Sequence, residues 1–194
     1  MIINSPINIS AQPAASQTLC AGSPFNLSVT ASGTGLSYQW KKNGVDILGE
    51  TSNTFSIGSV ASGDAGNYTV VVSSTGVCVP GSVSSTTAVL TVDSPSLITA
   101  DPLASQTLCE GSSLTLSVTA TGTGLSYQWY HGLTPVGGNS SSYSVGSVAV
   151  TDAGTYKVEV TSAGVCIPSM VTSANAIVII NSPINISAQP AASQ

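Results

Sequence analysis

An internal repeat constrains this chain more than any other feature. The pentapeptide Ser-Gln-Thr-Leu-Cys occurs at Ser16–Cys20 and again at Ser105–Cys109. A second pair of cysteines, Cys78 and Cys166, lies at matching positions once a one-residue deletion is allowed. The sequence therefore predicts two homologous units, residues 4–92 and 93–180, each of the length of a small domain.

A second repeat concerns the end of the chain. Residues 179–194 are identical to residues 2–17. We interpret 181–194 as the first strand of a third repeat, a near-copy of 4–17. Met1 stands where Val178 stands in this register, which indicates an introduced start residue within a longer tandem array. A complete protein of 194 residues is the alternative, and it leaves that strand without a domain of its own.

Each unit carries the sequence pattern of β-strands. Apolar and polar residues alternate over 25–31, 36–40, 68–72 and 88–92, and Gly, Asn, Ser and Pro separate these segments. A period of two places the apolar residues on one face of a strand, and no window keeps a helical period. The pattern predicts an all-β fold with about seven strands per unit, arranged as two packed sheets.

The charge balance excludes several classes of partner. Only 6% of the residues are charged, with three lysines or arginines in all and a net charge of −5. So few cations cannot neutralise the phosphate backbone of a nucleic acid, which excludes nucleic acid as a partner. They also cannot bind an anionic membrane surface. No apolar run approaches the roughly 20 residues of a spanning helix, so no membrane insertion is expected.

Two motifs carry a resemblance to a known fold family. A tryptophan in each predicted third strand and an Asp-x-Gly-x-Tyr motif, at Asp64–Tyr68 and Asp152–Tyr156, occur at matching spacing in both units. In these features the chain resembles the immunoglobulin (Ig) superfamily. The resemblance implies two tandem Greek-key β-sandwiches. The core residues that it implies are Trp40, Tyr68, Trp129 and Tyr156.

The cysteine motifs indicate which group of Ig-like domains the chain resembles. Cys-x-Gly precedes the predicted strand B and Gly-x-Cys follows strand F in each unit, at Cys20–Gly22, Gly76–Cys78, Cys109–Gly111 and Gly164–Cys166. The chain is similar in this respect to bacterial Ig-like repeats of large surface and secreted proteins in Bacteroidetes-type organisms. That similarity implies an extracellular location, in adhesins, gliding-motility proteins or spacers of secreted enzymes. An even cysteine count in such a chain is typical of an oxidising compartment.

The cysteines do not occupy the usual inter-sheet positions, which hold valines instead. In an Ig-like sandwich, Cys20 lies at the bottom of its unit and Cys78 near the top. A strand of about seven residues at ~3.3 Å each separates them. A disulfide needs Cα atoms within about 7 Å.

We therefore predict a Cys20–Cys166 disulfide between domains. Cys78 and Cys109 would then pair with cysteines of neighbouring units in a longer array. The alternative is one bridge within each unit, Cys20–Cys78 and Cys109–Cys166.

No catalytic, metal or cofactor site is predicted. His131 is the only histidine and is expected in an exposed loop. The sequence indicates no carboxylate placed to orient its ring, as a catalytic triad requires. Asp93 and Asp101, at the predicted junction, are too few carboxylates for calcium. Tyr130, which replaces Lys41 of the first unit, is the one candidate platform for a sugar.

The sequence thus predicts a non-enzymatic structural repeat, that is, a stalk, spacer or filament segment of an extracellular surface protein. Its expected partners are neighbouring copies of the same repeat, including strand exchange through 181–194. The alternatives are an adhesive module that binds glycan or protein, and a non-catalytic accessory region of a secreted enzyme.

Overall fold

The structure is a computed structural model that describes residues 4–75 and 81–184. The described residues fall into two compact units, with the division between Ser94 and Pro95. Apart from the short 3₁₀ turns Ser62–Asp64 and Val150–Asp152, the regular structure is β-strand. The prediction of an all-β fold is confirmed.

The described residues of unit one form ten short strands. They are β1 (Asn8–Ala11), β2 (Ser16–Cys20), β3 (Phe25–Ser28), β4 (Thr30–Ser32), β5 (Leu36–Lys42), β6 (Val45–Asp46), β7 (Thr54–Ile57), β8 (Gly66–Ser74), β9 (Ser82–Ser84) and β10 (Ala88–Asp93).

Unit two repeats this order. Its strands are β11 (Leu97–Ala100), β12 (Ser105–Cys109), β13 (Leu114–Ser117), β14 (Thr119–Thr121), β15 (Ser126–His131), β16 (Thr134–Val136), β17 (Ser142–Val145), β18 (Gly154–Thr161), β19 (Met170–Thr172) and β20 (Ala176–Asn181).

Each unit contains a large sheet and a smaller layer opposite it. In unit one the large sheet has the order β2-β10-β8-β5-β6, with β9 added to β8. The smaller layer consists of the pairs β1-β4 and β3-β7, in which β3 and β4 are successive parts of one strand. Unit two has the same arrangement, with the order β12-β20-β18-β15-β16 in its large sheet.

One pairing within the large sheets is parallel. Strand β2 runs parallel to β10 over five residue pairs, from Ser16↔Val89 to Cys20↔Asp93. Strand β12 runs parallel to β20 over the equivalent five pairs, from Ser105↔Ile177 to Cys109↔Asn181. Strands β10 and β20 pair antiparallel with their other neighbours, β8 and β18.

The apolar residues of the alternating segments form one core per unit. The unit one core contains Phe25, Leu27, Val29, Trp40, Phe55, Val60, Tyr68, Val70, Ala88 and Leu90. The unit two core contains Leu114, Leu116, Val118, Trp129, Val148, Tyr156, Val158, Val160, Ala176 and Val178. Since both layers contribute to each core, each unit is a closed β-sandwich.

Candidate functional site: the cysteines and the sheet surfaces

The cysteines lie at the ends of strands. Cys20 is the last residue of β2 and pairs with Asp93, and Cys109 is the last residue of β12 and pairs with Asn181. Cys166 follows β18 and is 2% exposed. Cys78 lies outside the described residues.

The two cysteines of unit two lie at opposite ends of its large sheet. Gly154, the first residue of β18, pairs with Val178 of β20, and Asn181 extends beyond that pair toward Cys109. Cys166 follows the other end of β18. Eight strand residues at ~3.3 Å each separate the two ends by roughly 25 Å.

The bonding state of the cysteines agrees with this separation. Cys20 and Cys166 are each disulfide-bonded. Cys109 is an exposed free thiol. The alternative of a Cys109–Cys166 bridge within unit two is therefore wrong in this structure, because a disulfide cannot span the length of the sheet.

The core aromatic residues are buried and hydrogen-bonded. Trp40 and Trp129 have no exposed surface, and their indole nitrogens donate to the carbonyl oxygens of Ser52 and Ser140, at 2.8 and 3.0 Å. Both indole N–H groups are thus hydrogen-bonded inside an apolar environment.

A tyrosine corner lies at the start of β8 in unit one and at the start of β18 in unit two. The hydroxyl of Tyr68 donates to the carbonyl of Asp64 at 2.7 Å, and the hydroxyl of Tyr156 donates to that of Asp152 at 2.8 Å. Burial, with smaller contributions from Tyr143 and Asp152, raises the pKa of Tyr156 to about 12. These hydroxyls tie the 3₁₀ turns to the core and have no catalytic geometry.

His131 does not lie in an exposed loop, and that expectation is wrong. It is the last residue of β15 and is half-buried. Its ring stacks on Tyr156 with centroids 4.5 Å apart and planes 4° from parallel, and Nε2 lies 3.1 Å from the carbonyl oxygen of Ala153. Lys42 takes this place in unit one, over the ring of Tyr68. The histidine therefore covers the ring of the corner tyrosine and has a structural role.

Tyr130 lies on the outer face of the unit two sheet. Its hydroxyl donates to Glu159 Oε2 at 3.1 Å, and Lys157 Nζ lies 5.1 Å from the ring centre and 3.3 Å from Glu159 Oε1. The hydrogen bond to Glu159 raises the pKa of Tyr130 above its ordinary value. The cluster satisfies its own polar groups, and the ammonium lies where a sugar would have to stack.

No catalytic or metal-binding constellation emerges from residues 4–75 and 81–184. No group of three or more His, Cys, Asp or Glu side chains converges there, and that part of the chain encloses no cavity. Asp101, at the predicted junction, accepts a hydrogen bond from the backbone of Ala174. Among the described helical segments, none has the length and apolar character needed to cross a bilayer.

The comparisons with known proteins agree with this architecture. Residues 95–179 match the family model of the CHU_C-associated Ig-like domain. No curated protein sequence matches the chain.

Solved structures of tandem Ig domains are similar to the chain in fold. An I-band fragment from titin is 19% identical, with a TM-score of 0.57 over 94% of this chain and 68% of the fragment. The four N-terminal Ig domains of Dscam1 isoform 6.9 are 19% identical, with a TM-score of 0.71 over 93% of this chain and 47% of that one. Ig domains 1–4 of Sidekick-1 are 18% identical, with a TM-score of 0.65 over 90% of this chain and 48% of that one.

The chain thus spans about half the length of the Dscam1 and Sidekick-1 fragments. At this level of identity the likeness concerns the fold alone. Both units have the fold of tandem Ig-like domains, and residues 95–179 are similar to the CHU_C-associated Ig-like family.

Proposed function

We propose that the chain is a structural repeat segment, a stalk or spacer, of a long extracellular surface protein. The observation that carries this proposal is the parallel pairing of β2 with β10 and of β12 with β20. In each unit a strand near the start of the chain runs parallel to the last strand. The chain therefore enters a unit at one end of its large sheet and leaves it at the other end.

The same pairing supports a load-bearing role. A force that pulls the two ends of a unit apart acts along β2 and β10 in opposite directions. The backbone hydrogen bonds of all five residue pairs are then loaded together instead of breaking one after another. Forced unfolding depends on the unfolding rate, and simultaneous loading keeps that rate low.

The exposed surface of the smaller layer is suited to a spacer. In the β3-β7 and β13-β17 pairs of this layer, the outward side chains are hydroxyls and amides without charge. In unit one Asn26 and Ser28 face Ser56 and Thr54. In unit two the equivalent exposed positions are Thr115, Ser117, Ser142 and Ser144. Such a surface is well hydrated and offers no apolar patch for non-specific association.

Single-molecule pulling of the reduced protein tests the spacer role. We expect two discrete unfolding steps, each releasing roughly 300 Å of chain, because each unit holds about 90 residues at ~3.4 Å per extended residue. Extension without discrete steps would show that the units do not resist force as closed sandwiches.

We also propose that Cys20 and Cys166 form a disulfide between the two units. Each of these residues is disulfide-bonded, while Cys109 is not. A single Cys20–Cys166 bond accounts for both bonded cysteines. Such a bond at every junction of an array would restrict hinge motion and stiffen the stalk, and it requires the oxidising conditions found outside the cell.

Non-reducing peptide mapping tests this pairing directly. A linked pair of peptides that contain Cys20 and Cys166 is expected, and a Cys20–Cys78 pair would overturn the proposal. Pulling gives an independent readout, because a Cys20–Cys166 bond prevents the chain between the two residues from extending. The oxidised protein should lack the two full steps, and the C20S/C166S variant should show them in either redox state.

Head-to-tail association through 181–194 is the third part of the proposal. Ile7 is buried in unit one, at 8% exposure, whereas its copy Ile184 is 98% exposed. The segment that begins at Ser182 has the same sequence as the segment that begins at Ser5. One copy's tail therefore has the sequence needed to fill the β1 position of another copy.

A further inference from the structure

We infer that the residue directly before the first strand of each unit decides which unit that strand can complete. This residue is Ile7 before β1 and Ser96 before β11. The tail carries an isoleucine at the equivalent position, Ile184, so it selects unit one of a second copy and rejects unit two. The inference rests on the proposed head-to-tail association and names the surface that the tail recognises.

In unit one, Ile7 lies against the turn that joins β4 to β5. This turn has the sequence Gly-Thr-Gly-Leu, at 33–36. A Cβ on Gly33 would lie 3.4 Å from Ile7 Cα, so the chain before β1 packs directly on the glycine. Two residues earlier, Ser5 donates its N–H to Oγ1 of Thr34 at 2.9 Å. The backbone of the segment is thus fixed on the turn, and the Ile7 side chain is buried.

In unit two the same backbone path carries a serine. The turn 122–125 repeats the sequence Gly-Thr-Gly-Leu, and a Cβ on Gly122 would lie 3.1 Å from Ser96 Cα. Ser96 is 1% exposed. Its N–H and its hydroxyl both donate to the carbonyl oxygen of Pro168, at 3.1 Å each, in the loop between β18 and β19. The site in unit two is therefore closed around a small hydroxyl side chain.

The two sites differ in size and in polarity. Isoleucine is larger than serine, so at position 96 it would displace the atoms that enclose the buried serine. It would also remove one of the two donors to Pro168 O. Serine at position 7 would give up the burial of an apolar side chain. Each first strand therefore fits its own unit and misfits the other, which is how paired sites become specific.

The tail has the residue that fits unit one. Residues 182–184 have the same sequence as 5–7, and Ile184 is exposed. Burial of this isoleucine in unit one of a second copy strengthens binding about 10- to 100-fold relative to serine. In the wild type this gain is cancelled, because Ile7 gives the chain's own β1 the same advantage. The outcome of the exchange therefore depends on whether positions 7 and 184 carry the same residue.

The test changes these residues in the full chain, with reducing agent present so that disulfides do not contribute. Ile7→Ser leaves the weaker residue on the chain's own strand and isoleucine on the tail. Since the own strand has an effective concentration in the millimolar range, the tail should prevail above about 10–100 µM protein. Light scattering should then show assemblies larger than dimers. The double variant Ile7→Ser/Ile184→Ser makes the two strands equal again and should be monomeric.

The unit two site is tested by the reciprocal change. Ser96→Ile gives unit two a misfitting strand, but the tail carries the same residue and has no advantage, so this variant should stay monomeric. The double variant Ser96→Ile/Ile184→Ser has a tail that fits unit two, and it should assemble. Thermal unfolding checks that unit two still folds. If it does not, Ser96→Val, which introduces a smaller apolar side chain, replaces Ser96→Ile in both proteins.

Four results would overturn the inference. A monomeric Ile7→Ser variant would mean that the tail does not complete unit one, and head-to-tail association would fail with it. Equal assembly of Ile7→Ser and its double variant would mean that residue 184 does not decide the pairing. Assembly of Ser96→Ile with the unchanged tail, or a monomeric Ser96→Ile/Ile184→Ser protein, would mean that residue 96 does not select the strand, while head-to-tail association through unit one stands. The spacer role is scored separately by pulling.

Discussion

At the residue scale, each core depends on a tryptophan that both layers contact and whose ring nitrogen is satisfied by a backbone carbonyl. Trp129→Ala removes the largest side chain of the unit two core and leaves the carbonyl of Ser140 without its donor. We expect the free energy of unfolding of unit two to fall by roughly 3–5 kcal/mol. Denaturant unfolding measures this.

Leu133→Ala is the matched control for the tryptophan substitution. Leu133 is also a large apolar side chain of unit two, but it is 92% exposed. Its removal should change stability by less than about 0.5 kcal/mol. Equal effects of the two substitutions would mean that Trp129 does not lie in the core.

The pKa of Tyr156 makes unit two sensitive to alkaline pH. Burial raises this pKa to about 12, and an unfolded tyrosine titrates near 10. The unfolded chain therefore loses its proton first, so this stabilising contribution is complete below pH 10 and is lost as pH rises toward about 12. Tyr156→Phe removes the titrating group and should make the alkaline decline of Tm shallower.

The same variant has a second expected effect. Loss of the hydrogen bond to Asp152 should cost about 1 kcal/mol at neutral pH. Thermal unfolding of the wild type and Tyr156→Phe between neutral and strongly alkaline pH measures both effects. Parallel pH profiles for the two proteins would contradict the role assigned to Tyr156.

Residue-scale chemistry was only partly predictable from the sequence. The Asp-x-Gly-x-Tyr motif indicated Tyr68 and Tyr156 as core residues, and both side chains are buried. The sequence did not indicate that the carboxylates of Asp64 and Asp152 accept backbone hydrogen bonds within their turns. The position of His131 was not predictable. Its half-burial depends on contact with Tyr156, which is distant in sequence, and on Gly154, where a Cβ would lie 2.4 Å from its Nε2.

At the element scale, a buried serine completes the pairing of the central strand of each large sheet. Ser173 lies just before β20, and its Oγ accepts the N–H of Val158 at 3.0 Å while its own N–H donates to Val158 O at 2.9 Å. Ser85 and Val70 make the same pair of bonds in unit one. A serine side chain thus supplies an acceptor where strand pairing has stopped.

Ser173→Ala should cost about 1–3 kcal/mol, because it leaves a buried N–H group without an acceptor. Ser173→Thr keeps the hydroxyl and should retain most of that stability. Ser144→Ala is the control, since Ser144 points outward from β17 and is exposed. If the alanine substitution at 173 were as mild as that at 144, the hydrogen bond would not contribute to stability.

The long strands were predictable and the short ones were not. Alternation over several residues identifies the apolar face of β5, β8 and β10, because a period of two is visible there. Strand β6, Val45–Asp46, is too short to show any period. The alternation over 25–31 continues through Val29, yet the strand divides there because its pairing partner changes: Phe25–Ser28 pairs with β7, and Thr30–Ser32 pairs with β1.

At the scale of the whole molecule, strand exchange depends on competition between the tail of another copy and the chain's own β1, and this competition can be tested. A tail that displaces β1 of another copy makes the contacts that β1 already makes, so the exchange gains no new buried surface. It must also overcome the cost of association, whereas the chain's own β1 is present at an effective concentration in the millimolar range. The wild-type protein should therefore remain largely monomeric at micromolar concentration.

Removing residues 1–11 should shift this balance strongly toward association. The truncation deletes β1 and the buried Ile7, and leaves a β4 edge without its partner strand. The tail of a second copy, which carries the same sequence, can then bind without displacing anything, and burial of its isoleucine contributes about 1.5–3 kcal/mol. Light scattering should show assemblies larger than dimers at micromolar concentration, because head-to-tail binding does not close.

Deletion of 182–194 from the same variant removes the donor strand while keeping Asn181, which pairs with Cys109, and it should abolish the assemblies. Ile184→Ser should weaken them with the tail length unchanged. A truncated protein that stays monomeric with its tail intact would show that this segment does not complete another molecule's sheet.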